Sequence, residues 1–145
     1  MTMKANAWVR APSKNRIIGS TKFSRGGVRI WRVATVLWMI FIFLLSSIPD
    51  AKVEALGSWD FLLRKIAHAV LFGVLAVLIS KSWKASSRRV LPWKQGIWIF
   101  CFTVFYAASD ELHKVFVSGR YGTFVDVAID SIGAFAGVFG VTRRR

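Results

Sequence analysis

Apolar blocks long enough to cross a bilayer alternate along this chain with stretches that carry most of its charge. The blocks run from about Trp31 to Ile48, Leu62 to Trp83, Trp93 to Ser109 and Gly122 to Val141. At 1.5 Å per residue, about 20 helical residues span a hydrocarbon core of ~30 Å. In lipid, a helix is the simplest way to satisfy every backbone N–H and C=O. The alternation therefore predicts an all-α integral membrane bundle of four transmembrane helices. A soluble domain of 145 residues, 54% of them hydrophobic, would have one small core in which to hide that surface.

Lys and Arg number 21 against 7 Asp and Glu, a net charge of +14. In a soluble protein such an excess would suggest nucleic acid as a partner, but here every basic cluster abuts an apolar block, so no nucleic acid is needed to explain it. The N-terminal segment to Arg32 holds eight cations, the Lys81 to Lys94 stretch five and the C-terminus three. The other five cations share the opposite ends of the blocks with all seven carboxylates. By the positive-inside rule both termini are expected in the cytoplasm, and the acid-bearing connections outside a bacterial cytoplasmic membrane. Residues 1–27 read as a poorly ordered basic cytoplasmic tail, with 28–145 as the transmembrane domain. The long basic lead, and Ser46-Ser47-Ile48-Pro49 in place of a small-x-small cleavage site, mark the first block as an uncleaved anchor. Cys101 is the one cysteine, so no disulfide forms within the chain, and it reads as a small buried hydrophobe.

Candidate chemistry collects at the acidic end. Lys65 and His68 are three apart and share a face where the second block enters the bilayer. Asp110 and Glu111 follow the third block, where exposed helix carbonyls disfavour carboxylates. They require cations, and Lys65, His68, Lys114 and Arg120 are the donors at that end. In the last block Asp126, Asp130, Gly133, Gly137 and Gly140 fall at spacings of 4, 3, 4 and 3, which draws one stripe down a helix. The glycines Gly133, Gly137 and Gly140 form a small-xxx-small packing face, so the two aspartates on that face point into the bundle. A lone carboxylate in the membrane costs about 2.5–3.5 kcal/mol, a cost tolerated only beside a partner or a polar cavity.

In order and spacing, Ser46-Ser47-Ile48-Pro49, the K-x-x-H of Lys65 and His68, and the SDELHKVFVSGRYGTFVDVAIDSIGAFAG run resemble the VanZ-like family of small membrane proteins. The likeness covers Ser46 to Gly137. Position by position, Lys65 and His68 match the family's motif in the second helix, Glu111 and Arg120 the acid and Gly-Arg of the third motif, and Asp126 the first acid of the last. Arg64, Lys114 and Asp130 depart from it, standing where Asp, Gln and Asn are usual. The resemblance implies a cell-envelope protein linked to resistance to the glycopeptide teicoplanin.

Two functions fit these residues best. One is an outward-facing pocket of Lys65, His68, Glu111, Arg120, Asp126 and Asp130 that recognises a membrane lipid or a lipid-linked or cell-wall precursor by its head group: cations hold phosphate or carboxylate, and acids hold amino or hydroxyl groups. The alternative is a hydrolase or transferase acting on a lipid-linked phosphate. There Glu111, Asp126 and Asp130 would gather a divalent ion such as Mg²⁺ or Mn²⁺, or act as acid and base with His68 carrying the proton. Ion movement is disfavoured, since no polar stripe reaches the cytoplasmic half.

Overall fold

The computed structural model describes residues 25–49, 58–87 and 91–143. Among them lie four α-helices: α1 (Arg25–Ser47), α2 (Ser58–Ser87), α3 (Trp93–Lys114) and α4 (Phe124–Arg143). Each contains one of the apolar blocks, with ends that local chemistry adjusts. Helix α1 begins six residues before Trp31 and stops just before Pro49, which cannot continue a helix. Helix α3 runs five residues past Ser109, because Lys114 reaches back one turn to both Asp110 and Glu111. Helix α4 starts two residues after Gly122, because Thr123 caps it. Most of the expected basic tail, and the acids Asp50 and Glu54, lie outside the described residues.

Three helices are long and apolar enough to cross a membrane: Gly26–Ser47, Leu62–Ser87 and Phe124–Arg143. Only 11–22% of their most apolar stretches is buried within the chain. Large side chains stand outward all round: Leu37 is 60% exposed, Phe105 72% and Ile132 69%. Water tolerates such residues singly but not as a continuous coat, so the coat faces lipid and the chain is a multi-pass membrane protein. Cys101 is part of that outward surface, not of the core the sequence suggested for it.

Helices α2 and α4 make the most extensive pairing, α3 packs on α4, and α1 lies against α2 and α3. Two small cores result, Ile42, Phe72, Leu75 and Ala107 in one and Ala76, Leu91, Ile99, Ala134 and Val138 in the other. Since lipid tails are as apolar as these side chains, close backbone approach and interhelical hydrogen bonds must add to the packing. Trp38 Nε1 donates to the Leu71 carbonyl at 3.0 Å, and Tyr106 Oη donates to the Met39 carbonyl at 2.7 Å, tying α1 to both neighbours. Gly133 and Gly137 supply the close approach: a Cβ on either would strike the α2 backbone at Ala69 or Gly73. Gly140, on the same stripe, lies beyond the crossing, and a Cβ there would meet nothing within 4 Å. The expected packing role thus ends at Gly137.

Candidate functional site

Polar residues gather where α2 and α4 begin and α3 ends. Thr123 sets the geometry of α4: its Oγ1 accepts from the Asp126 N–H at 3.2 Å and donates to Asp126 Oδ2 at 2.7 Å. This is a Thr-x-x-Asp cap, and it holds the Asp126 carboxylate in the first turn, where the helix dipole favours an anion. The other carboxylate oxygen, Oδ1, accepts from Lys65 of α2 in a half-buried ion pair. The two helices that cross at the glycines are thereby also joined at their polar ends.

The α3 end works differently. Asp110, Glu111 and Lys114 are all buried, and the Lys114 ammonium lies between the two carboxylates, paired with Glu111 and 3.3 Å from Asp110 Oδ2. Glu111 Oε2 also accepts from the Thr123 N–H at 3.1 Å. Glu111 is therefore a brace that fixes the loop from α3 onto the start of α4. The loop turns at Gly119, whose φ of +76° is a left-handed conformation that suits glycine. Arg120 follows and donates from Nη1 to the carbonyls of Ser46 at 2.7 Å and Leu45 at 3.3 Å. A cation at the last carbonyls of α1 satisfies acceptors that a helix C-terminus leaves open. His113 leaves the cluster: its Nε2 is 3.1 Å from Ser47 Oγ, and its ring stacks on Phe43.

Between these groups opens a cleft of about 620 Å³. Of the six residues expected to meet there, Lys65, His68, Arg120, Asp126 and Asp130 line it and Glu111 does not. Arg64, Lys114, Tyr121 and Thr123 join the lining. Lys114 stood out in the sequence as a source of charge and as a departure from the family pattern, whereas Thr123 went unremarked although the Thr-x-x-Asp signature that flags it opens the last apolar block. Asp130 sits six residues into α4, about 9 Å along the helix, 1% exposed, and among the described residues neither of its oxygens has a hydrogen-bond partner. The buried His68 Nδ1 is unpartnered in the same sense. Buried polar atoms are almost always paired, so such orphans mark a place that a donor from outside the chain can fill.

The cleft thus presents both signs of charge, four cations (Arg64, Lys65, Lys114 and Arg120) around two carboxyl groups (Asp126 and Asp130). Among the described residues no three of His, Cys, Asp and Glu come together as a metal-binding group, so the metal-dependent hydrolase or transferase reading gains no support. Glu111, one of its expected ligands, is engaged by Lys114 and the Thr123 amide.

The VanZ/LLP1 family model matches residues 30–143 of the chain, from the second turn of α1 to the end of α4. No curated protein and no solved structure matches it.

Proposed function

The chain belongs to the VanZ/LLP1 family, and from that premise we propose that it is a cell-envelope membrane protein whose cleft recognises the head group of a lipid or cell-wall precursor. In this reading α3 crosses the membrane with the other three helices. Both termini are cytoplasmic, and the cleft opens on the outer face of a bacterial cytoplasmic membrane. The charge distribution supports that orientation: sixteen cations and no carboxylate lie at one end of the apolar blocks, and five cations with all seven carboxylates at the other.

One observation carries the reading: a mixed-charge cleft at the ends of apolar helices, with the buried carboxyl of Asp130, which has no hydrogen-bond partner among the described residues, among its walls. The cations in its lining suit phosphate or carboxylate, and the carboxyl groups suit amino or hydroxyl donors. A head group bearing both would satisfy the orphaned oxygens, whose isolation in the membrane otherwise costs about 2.5–3.5 kcal/mol.

Native mass spectrometry of the detergent-purified protein tests it. A co-purified lipid or wall precursor is expected on the wild type and is lost in Asp126→Ala; spectra that hold none in either protein would refute the proposal. In cells, expression is expected to lower teicoplanin susceptibility, and Asp126→Ala to abolish that effect.

A further inference from the structure

The polar cleft does not end at its polar residues. Lys65 and Ile129 also line a second, almost wholly apolar hollow of about 570 Å³ that runs down the membrane-facing seam of α2 and α4. Its floor exists because Gly73, Gly133 and Gly137 carry no side chains where the two backbones meet, so the seam is a furrow where most helix pairs present a ridge. Ile66, Val70 and Ile132, all more than half exposed, form its flanks.

Along α2 the furrow extends from Leu62 to Val77. Fifteen residues at 1.5 Å is about 22 Å, longer than the ~15 Å depth of one leaflet's hydrocarbon. From the level of the Lys65–Asp126 ion pair to Val77 about 18 Å of furrow remains, still more than one leaflet's depth, so an acyl chain can lie in it. The head end offers an independent sign of a ligand: Asp130 is 99% buried, lines the adjoining cleft, and is without a hydrogen-bond donor among the described residues.

Resting on the head-group reading above, we propose that the ligand is a whole bilayer lipid, its phosphate-bearing head in the cleft and one acyl chain in the α2–α4 furrow, and not a soluble cell-wall fragment. Asp130 calls for a head with N–H or O–H donors, so an ethanolamine phospholipid is the suitable probe.

The test compares palmitoyl-oleoyl phosphatidylethanolamine with glycerophosphoethanolamine, the same head without chains, on the full-length protein by native mass spectrometry. The lipid is expected to bind at least about tenfold more tightly, because its acyl chain packs in the furrow and the chainless head has nothing to place there. Val70→Trp, which fills the furrow from the exposed flank of α2, is expected to lower lipid retention about tenfold, whereas Leu37→Trp on the lipid face of α1 leaves it unchanged. Ile132→Trp fills the furrow from α4 and provides a second variant should the first fold poorly. Equal binding of the chainless head, or retention unaltered by both furrow substitutions, would overturn the lipid assignment and leave head-group recognition standing. Failure of both probes to bind would overturn the two together.

Discussion

At the scale of single residues, the sequence shows which groups must be compensated but not by whom. Lys114 is the sharpest case. It is the cation between Asp110 and Glu111, which are 3% and 4% exposed, and removing one partner of a buried pair leaves charge stranded at a cost of about 3–5 kcal/mol. Lys114→Met should therefore lower stability by about that amount in mixed-micelle denaturation, and adding Asp110→Asn should recover part of the loss. A Lys114→Met protein as stable as the wild type would show that the acids find another partner. The Lys65–Asp126 pair is only half-buried, so its effect is smaller: a double-mutant cycle with Lys65→Ala and Asp126→Ala should give a coupling of about 1–2 kcal/mol, and additive losses would count against the contact. The spacing of Lys65, Asp126 and Asp130 was enough to turn these side chains toward a shared polar site. Arg120 and Glu111 could not be placed that way, because the first serves a helix end some 75 residues earlier in the chain and the second a backbone amide in the next loop.

Among the elements, α4 holds the greater part of the specification. Four apolar blocks were legible by length alone, since the bilayer fixes how many residues a helix needs. The ends were less so, because caps and ion pairs decide them: Thr123 delays α4, and Lys114 prolongs α3. The glycine stripe announced a close helix neighbour without naming it, and the partner surface proves to be Ala69 and Gly73 of α2, a small-residue pair overshadowed by the charged residues just before it. Extent was invisible too, for nothing in the spacing says that the crossing stops before Gly140. Gly133→Ala should accordingly drive α2 and α4 apart and cost about 1–3 kcal/mol, while Gly140→Ala should be neutral or add up to about 1 kcal/mol by improving helix propensity. Thermal unfolding of the two variants in one detergent checks this, and equal shifts would remove the crossing point from where the structure puts it.

For the whole molecule, the governing question is how the charge asymmetry lies across the bilayer, because the proposed cleft is useful to an envelope protein only if it faces outward. Translocating Lys and Arg clusters is costly, so the sixteen cations at one end should stay in the cytoplasm, with the acid-bearing end outside. Helix α3 is the element on which this turns. It is less uniformly apolar than the others because Asp110, Glu111, His113 and Lys114 occupy its last turns, yet those charges are internally paired or turned toward α1 and need no water along its length. Ser86 near the end of α2 and Ser118 in the loop after α3 are both exposed and flank α3 on either side. In a Cys101→Ala background, Ser118→Cys on intact cells should react with a membrane-impermeant maleimide, and Ser86→Cys only after permeabilisation. That pattern, Ser118→Cys from outside and Ser86→Cys from inside, establishes at once that α3 crosses and that the cleft faces out. Labelling of both from one side would leave α3 uncrossed, and inverted labelling would turn the cleft to the cytoplasm, where recognition of an outer-leaflet head group is impossible.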